Sequence, residues 1–232
     1  MIYLYSGLPG SGKSYHIAHD IWLASKFGKG RSHYICNFPV NVPDVDVLPP
    51  RGFDVADVLE LHRAYASSHD LKREGQIKLV IDECGMIFNP RNWNDPSVNR
   101  MDWINFFSQH RKLNFDVILI AQDMMMLDKQ IRPLIEIECS HYMLNNFGFF
   151  GDLMTILTLG RKVSHATYKV ASMRRSPKVA RIGGEFYTVR KCVYSIYDSH
   201  NLFGNELLTA GDGPTHGATA PSGGLRQPQV GN

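Results

Sequence analysis

The sequence predicts an α/β fold in which a mainly parallel sheet is flanked by helices and continued by a β-rich C-terminal extension. Three observations predict it. Apolar strand-like runs alternate with segments of helical periodicity through the first half of the chain, and a glycine-rich loop joins the first strand to the first helix. From Ile135 onward, strand-like runs separated by turn signals dominate. The chain has 232 residues with 44% hydrophobic content, enough to bury a sizeable core.

The glycine-rich loop gives the first functional prediction. The motif G-x-x-x-x-G-K-[ST] is matched at every fixed position by residues 7–14, and the apolar run Ile2–Tyr5 precedes it. Glycines let the backbone N–H groups turn inward around a phosphate, and the following helix adds a partial positive charge at its N-terminus. We therefore predict nucleotide binding by Gly7, Pro9, Gly10, Ser11, Gly12, Lys13, Ser14 and Tyr15.

Two residues of this loop have specific expected roles. The Lys13 ammonium is expected to reach the β- and γ-phosphates of ATP. The Ser14 hydroxyl is placed to ligate Mg²⁺, which bridges two phosphate oxygens. ATP and Mg²⁺ are thus the predicted cofactors.

The elements that follow the first helix continue the alternation. Gly28 ends that helix, and His33–Phe38 is predicted as a second strand. After a proline-rich extended loop, Asp54 is expected to cap a helix. His62 lies on the apolar face of this helix, where a histidine is more often a satisfied, partly buried side chain than a ligand.

A second acidic motif follows a buried strand. Ile77–Ile81 is apolar apart from Lys78 and ends in Asp82 and Glu83, the pattern of a Walker B strand. If this strand lies beside the phosphate-loop strand, Asp82 reaches the Mg²⁺ directly or through a bound water. Glu83 then faces the γ-phosphate and is the candidate general base for an attacking water.

A third polar group closes the next predicted strand. Val98–Lys112 shows helical spacing, and Phe115–Ala121 is an apolar strand with Gln122 at its tip. Polar groups at the ends of successive strands meet at one sheet edge, where open α/β sheets bind ligands. Gln122 is therefore the candidate γ-phosphate sensor.

The C-terminal part changes in character. Leu127–Ile135 is predicted as a short helix broken at Pro133, and Gly183-Gly184 as a two-residue hairpin turn. The predicted strands are Cys139–Leu144, Leu153–Thr158, His165–Ala171 and Phe186–Val193. We expect a P-loop domain over residues 1–200, with a core at 1–144 and the extension at 145–200, followed by a polar, disordered tail at 201–232.

Composition narrows the function classes. The net charge of +3 arises from 25 basic and 22 acidic residues, too nearly balanced to indicate nucleic acid as the main ligand. The four cysteines match no metal-binding spacing and indicate reduced core residues of a cytosolic protein. The chain starts directly with its first core strand, so no signal peptide is expected, and no apolar stretch reaches the ~20 residues of a transmembrane helix.

Several segments together resemble the zonula occludens toxin-like (Zot) family, which includes the gene I assembly ATPases of filamentous phages. They are the phosphate loop, K-L-V-I-D-E with F-N-P-R, F-F-S-Q-H-R-K-L-N-F-D-V-I-L-I-A-Q-D, I-R-P-L-I-E, and Y-D-S-H at 197–200. The resemblance covers roughly residues 1–200. It implies an additional-strand P-loop ATPase, related to FtsK/HerA- and RecA-like motors, that works as a homo-oligomer with phage assembly and coat proteins. It also implies a place at the cytoplasmic face of the host inner membrane. Family members are generally longer, with a membrane-spanning helix after this domain.

Three function classes stay open at this point. The leading hypothesis is a motor ATPase in which a neighbouring subunit supplies an arginine to the γ-phosphate, with Arg111, Arg91 and Arg132 as candidates. The second is a small-molecule phosphotransferase with the same loop. The third is a non-hydrolysing scaffold whose subunits are ordered by nucleotide. Direct DNA pumping is weakly supported, because the only concentrated basic stretch, residues 173–178, fits a solvated turn equally well.

Overall fold

The computed structural model describes residues 1–28, 32–91, 99–146, 153, 156–158, 161–173 and 181–197. These residues all belong to one compact unit, Met1–Leu202. The predicted disordered tail at 201–232 lies outside the described residues, so that prediction and the domain boundary at residue 200 remain predictions.

The described residues form one eight-stranded sheet of order β3-β2-β4-β5-β1-β6-β7-β8. Neighbouring strands from β3 to β6 are parallel, and β7 and β8 continue the sheet in antiparallel fashion. The predicted α/β class with a mainly parallel sheet and a β-rich extension is confirmed. The strands are β1 Ile2–Ser6, β2 His33–Cys36, β3 Val45–Val47, β4 Ile77–Ile81, β5 Phe115–Ile120, β6 Ile137–Met143, β7 Val163–Val170 and β8 Arg181–Thr188.

The expected position of the Asp82 strand in the sheet is wrong. We expected the strand that carries Asp82 to lie beside the phosphate-loop strand, but β5 lies between β4 and β1. The inserted β5 is the more apolar of the two strands, and all of its side chains except Asp116 are buried. This order is the additional-strand arrangement that the family resemblance implied.

Helices cover both faces of the sheet. The period-2 alternation of the strands sends Leu4, Leu79 and Val117 to one face, under α2 and α4, and Tyr5, Val80 and Ile118 to the other, under α1. No described helix has the length and apolarity needed to cross a bilayer. The helices are α1 Lys13–Phe27, α2 Val55–Ser68, α3 Cys84–Ile87, α4 Arg100–Gln109 and α5 Lys191–Tyr194, with 3₁₀ turns at His110–Leu113, Met124–Met126, Arg132–Leu134, Leu144–Asn146 and Ala171–Met173.

The predictions for α2 are confirmed. The Asp54 side chain accepts hydrogen bonds from the backbone N–H groups of Ala56 and Asp57. The Asp57 side chain accepts from the Asp54 N–H, so the helix begins with a capping box. His62 Nε2 lies 3.1 Å from the Leu113 carbonyl oxygen, and its ring packs on Phe115. His62 is therefore a partly buried histidine with a hydrogen-bond partner, as the sequence analysis predicted.

Several predictions for the C-terminal part are wrong. Gly183 and Gly184 form no hairpin turn. Both lie within β8, where Gly183 pairs with Tyr168 of β7 and Gly184 pairs with Thr167. A Cβ at position 184 would lie 3.2 Å from the Ala166 carbonyl oxygen, so this glycine permits close strand approach rather than a turn. The predicted strand Leu153–Thr158 is also wrong, because its described residues 153, 156 and 157 are helical.

Two further boundaries differ from the prediction. The strand predicted to reach Val193 ends at Thr188, and α5 follows it. The helix expected at Leu127–Ile135 is a 3₁₀ turn at Arg132–Leu134, since Pro133 lacks the N–H that a longer helix would need. β3 was missed because the surrounding prolines indicated a loop.

Candidate nucleotide site

The phosphate loop connects β1 to α1 in backbone conformations that favour glycine. Gly7 has φ 143° and Gly12 has φ 98°. A Cβ at Gly7 would lie 2.6 Å from the His141 carbonyl oxygen, and one at Gly12 would lie 2.8 Å from the Ser164 hydroxyl oxygen. These close approaches involve β6 and β7, so the last parallel strand and the first strand of the C-terminal extension form the wall behind the loop.

Lys13 lies in the first turn of α1 and folds back across the loop. Its ammonium donates to the carbonyl oxygens of Gly7, at 2.8 Å, and Leu8, at 3.1 Å. Burial lowers the pKa of Lys13, while the nearby carboxylates of Asp82 and Glu83 oppose that shift. The lysine is thus a partly desolvated cation at the loop, which strengthens its attraction for a phosphate.

Ser14 and Asp82 meet beside the loop. The Ser14 hydroxyl donates to Asp82 Oδ2 at 2.9 Å, although 68 residues separate them. Asp82 is buried, and burial raises the pKa of its carboxyl, opposed by hydrogen bonds from Ser14 and the Glu83 N–H and by the charge of Lys13. A desolvated carboxylate next to a hydroxyl is an oxygen-ligand pair of the kind that Mg²⁺ takes.

Two side chains that the sequence did not indicate hold Asp82 in place. Asn37, just after β2, accepts from the Asp82 N–H at 2.6 Å and donates to the Asp82 carbonyl at 3.0 Å. Tyr197 places its hydroxyl 3.5 Å from Asp82 Oδ2, and its ring packs edge-on against Phe38. Tyr197 belongs to the Y-D-S-H segment that carried part of the family resemblance, which was the only signal for it.

Glu83 follows Asp82 but lies in a different environment. Its backbone is left-handed, with φ 50° and ψ 35°, and its side chain is exposed. Asp82 Oδ1 accepts from the Glu83 N–H at 2.8 Å. The turn therefore separates the two carboxylates, one buried against Ser14 and one free to face a bound nucleotide. The general-base role of Glu83 stays a prediction.

Gln122 lies at the same edge. It follows β5, which pairs in parallel with both β1 and β4, and its carbonyl accepts from the Gly7 N–H at 3.1 Å. The expectation that Asp82, Glu83 and Gln122 meet at one sheet edge is confirmed. The Gln122 side chain is exposed there, and its role as a γ-phosphate sensor stays a prediction.

The remaining loop residues occupy varied positions. Pro9 and Gly10 form the exposed tip, and Ser11 is buried. The Tyr15 hydroxyl donates to the Thr188 carbonyl at 3.2 Å and accepts from the Arg190 N–H at 3.0 Å. The Tyr15 side chain therefore packs against the C-terminal extension, and only its backbone amide remains for a nucleotide.

The three arginines that are candidates for contacting the γ-phosphate of a neighbouring subunit lie in different places. Arg111 is ion-paired with Glu74, at 3.2 Å, and with Glu136, which also accepts from the Ile2 N–H at the start of β1. Arg111 is therefore at the sheet edge opposite the phosphate loop of its own chain. Arg132 donates to the carbonyl oxygens of Met125 and Leu127, and Arg91 is exposed. Action of one of these arginines on the nucleotide of a neighbouring subunit remains a prediction.

The site fits a nucleoside triphosphate and its metal ion. Ser11 Oγ is a buried oxygen that makes no hydrogen bond within the described part of the chain, and it lies 2.8 Å from where a Cβ at Gly7 would stand. The loop thus offers a hydroxyl and a lysine to phosphate oxygens, at the N-terminus of a helix. Ser14 and Asp82 would hold Mg²⁺.

These features define the class of protein. Because a phosphate loop, its lysine and a Ser–Asp pair meet at the carboxyl edge of an additional-strand sheet, the chain is a P-loop NTPase. More particularly, it belongs to the Zot family: the family model described as Zonular occludens toxin (Zot) matches residues 1–202.

Relatives and solved structures agree with this assignment. The chain is 29% identical to the Gene 1 protein of Enterobacteria phage M13 over 218 residues, covering 87% of this chain and 60% of the relative. It is 33% identical to the Gene 1 protein of Enterobacteria phage I2-2 over 140 residues, covering 59% and 37%. The chain thus spans less than two thirds of the length of these relatives. The N-terminal domain of zonular occludens toxin from Neisseria meningitidis has the same fold, with a TM-score of 0.50 at 16% identity over 85% of this chain and 98% of that chain.

Proposed function

We propose that this chain is the ATP-hydrolysing domain of a motor that assembles and exports a filamentous phage through the host inner membrane. The contact between Ser14 Oγ and Asp82 Oδ2 carries the chemical part of this proposal, because it brings the two predicted Mg²⁺ ligands together beside the loop. The similarity to phage Gene 1 proteins supports the biological part.

Each side chain has a distinct task in hydrolysis. Lys13 binds the β- and γ-phosphate oxygens and stabilises the charge that grows on them. Glu83 orients the attacking water and takes its proton, while Gln122 hydrogen-bonds the γ-phosphate. Bound Mg²⁺, held by Ser14 and Asp82, supplies additional positive charge to the phosphate oxygens. Asn37 and Tyr197 keep Asp82 in position.

The proposed setting is a homo-oligomer, most simply a ring, at the cytoplasmic face of the inner membrane. Its partners are phage assembly and coat proteins, and it is attached to the membrane through parts or partners outside this chain. The family resemblance supports this setting. Hydrolysis in such an assembly would drive virion extrusion.

Lys13→Ala tests the nucleotide site. We expect this variant to lose most of its affinity for Mg·ATP, because the loop has no other cation to meet the phosphates. Isothermal calorimetry measures that affinity, and Lys26→Ala, an exposed lysine at the other end of α1, serves as the matched control. Equal ATP affinity in the Lys13 variant and the control would overturn the assignment.

A further inference from the structure

Three side chains of metal-binding type meet behind the phosphate loop. His16 lies on α1, two residues after Ser14, and Cys139 and His141 lie on the same face of β6. His16 Nδ1 is 2.8 Å from His141 Nε2, which is 3.8 Å from Cys139 Sγ. All three side chains are buried, and their ligand atoms lie within 4.8 Å of one another.

The hydrogen bonds of His141 orient it as a ligand. Its Nδ1 lies 3.0 Å from the Cys139 carbonyl oxygen and 3.3 Å from the Ser6 carbonyl oxygen. Carbonyl oxygens only accept, so Nδ1 carries the hydrogen and Nε2 presents its lone pair to His16 and Cys139. An N–H bonded to a backbone carbonyl on the far side of the ring is the usual support of a metal-binding histidine.

The second nitrogen of His16 also has polar neighbours. Its Nε2 lies 2.5 Å from the Tyr187 hydroxyl and 3.4 Å from the Tyr168 hydroxyl. The Tyr187 hydroxyl donates to Glu185 Oε2 at 2.7 Å, so its single hydrogen is not also available to His16. The short contact between His16 and Tyr187 is therefore best served by a hydrogen on His16 Nε2.

A metal ion bound at His16 Nδ1 would place the hydrogen on Nε2. With Nδ1 on the metal, the hydrogen of His16 moves to Nε2 and is donated to the Tyr187 oxygen. Tyr187 then donates its own hydrogen to Glu185, and each contact has one hydrogen. We propose that His16, Cys139 and His141 bind zinc(II) as three protein ligands, with a water as the fourth, at a site separate from the Mg²⁺ site at Ser14 and Asp82.

The ligand set and spacing suit this cation. Two imidazoles and a thiolate are borderline-soft ligands that zinc accepts, and tetrahedral bonds of about 2.0 Å to nitrogen and about 2.3 Å to sulfur give separations of about 3.3 Å between nitrogens and about 3.6 Å between nitrogen and sulfur. The two nitrogens, 2.8 Å apart, would have to separate by roughly half an ångström, whereas the 3.8 Å between His141 Nε2 and Cys139 Sγ is close to the expected value. The third pair, His16 with Cys139, lies within 4.8 Å and would have to close to about 3.6 Å. Burial raises the pKa of the Cys139 thiol, so zinc binding releases its proton.

The site would tie the helix that follows the phosphate loop to β6. His141 contributes the carbonyl against which Gly7 packs, and His16 lies in the helix that begins with Lys13. Tyr5, near the end of β1, stacks on the His16 ring, with centroids 4.7 Å apart, and packs at a tilt against the His141 ring, with centroids 4.9 Å apart. Zinc at this point would fix β1, α1 and β6 relative to one another directly beneath the nucleotide.

Metal content and cobalt spectroscopy test the proposal. The full chain is expressed with zinc, gel-filtered in metal-free buffer and assayed for bound zinc; we expect about one ion per chain. Cobalt(II) added to the metal-stripped protein should give tetrahedral d–d bands and a thiolate charge-transfer band. Cys139→Ser should lose the charge-transfer band and bind zinc at least about tenfold more weakly. Cys192→Ser, an exposed cysteine, is the matched control and should behave as the unsubstituted chain.

Two results would overturn the site. One is a folded, unsubstituted chain that retains no zinc when zinc is supplied in excess. The other is a charge-transfer band that persists in Cys139→Ser or disappears in Cys192→Ser. If Cys139→Ser fails to fold, the cobalt spectrum of the unsubstituted chain still tests the site, because the absence of a thiolate charge-transfer band there would overturn it. Cys192→Ser then shows whether the exposed cysteine is the source of that band. None of these readouts uses ATP turnover, so they stand apart from the proposed motor function.

Discussion

Asp82 and Glu83 are neighbours in sequence with opposite surroundings. Asp82 is buried among hydrogen-bond donors, which suits a metal ligand, whereas the left-handed backbone at Glu83 directs its carboxylate to the exposed side of the loop. A non-glycine residue in this conformation costs of order 1 kcal/mol and is found more often at functional sites than elsewhere. The strain therefore agrees with the catalytic role proposed for Glu83.

Glu83→Gln separates chemistry from binding. The amide keeps the shape and hydrogen-bonding reach of the carboxylate but cannot take a proton, so we expect ATP affinity to persist while turnover falls by roughly 10² or more. Steady-state phosphate release measures turnover, and thermal melts check folding. Glu60→Gln, an exposed position on α2, is the matched control. Normal melting with normal turnover would remove Glu83 from the mechanism.

His62 gives a prediction for acid stability. Burial lowers the pKa of His62 in the folded state, with Arg63 adding to the shift and the bond to the Leu113 carbonyl opposing it. The folded state therefore binds fewer protons than the unfolded state. Stability is intact above the unfolded pKa of about 6.5 and is lost as the pH falls through the folded value.

Urea unfolding at about pH 7.5 and about pH 5.5 checks this prediction. We expect His62→Gln, which keeps a side-chain N–H for Leu113, to lose less stability between the two pH values than the unsubstituted chain. His69→Gln is the control at an exposed position next to the same helix. An identical pH dependence in all three proteins would show that His62 does not contribute.

At the scale of residues, the sequence predicted the groups with local signatures. Lys13, Ser14 and Asp82 were found because motif spacing fixes their positions relative to a strand end. Asn37 and Tyr197 contact Asp82 from 45 and 115 residues away and belong to no recognisable spacing. The His16 cluster was missed for the same reason, since folding alone brings α1 to β6.

At the scale of elements, the end of β2 supports the end of β4. Asn37 satisfies both the N–H and the carbonyl of Asp82 while 3% exposed. Asn37→Ala would leave both backbone groups buried without these partners, and we expect a loss of about 3 kcal/mol in the free energy of unfolding. We also expect weaker Mg²⁺-dependent ATP binding, since Asp82 would lose its anchor.

Denaturant unfolding and calorimetry with and without Mg²⁺ measure the two effects of Asn37→Ala. Asn41→Ala, an exposed position shortly after β2, is the control. If the free energy of unfolding and the Mg²⁺ dependence of ATP affinity equal those of the control, Asn37 is not needed to hold Asp82 in position.

Element types were predicted better than element neighbours. The strands β1, β4 and β5 have long apolar runs that decide their identity, whereas their order in the sheet depends on packing between distant segments. Gly183-Gly184 shows the limit of local rules. The pair is a turn signal in isolation, but the pairing partner Thr167 and the close carbonyl of Ala166 hold it in an edge strand.

At the scale of the whole molecule, the arginines bear on how hydrolysis is completed. Arg111 is ion-paired at the far sheet edge, and Arg132 is bound to backbone carbonyls. Arg111 therefore lies away from the phosphate loop of its own chain, and the Arg132 guanidinium is already engaged. If another subunit supplies the arginine that contacts the γ-phosphate, we expect specific activity to rise with protein concentration.

Subunit mixing tests this last expectation most sharply. A Lys13→Ala subunit binds ATP poorly but can still supply an arginine to the next subunit. A subunit without the arginine that contacts the γ-phosphate binds ATP but cannot support hydrolysis in the next subunit. We expect one of Arg91→Ala, Arg111→Ala or Arg132→Ala to be inactive alone, by about 10³-fold, and to regain activity when mixed with Lys13→Ala. Light scattering must show an oligomer wherever activity returns. Activity that stays constant across dilution while the protein remains monomeric would instead place the complete catalytic set within one chain.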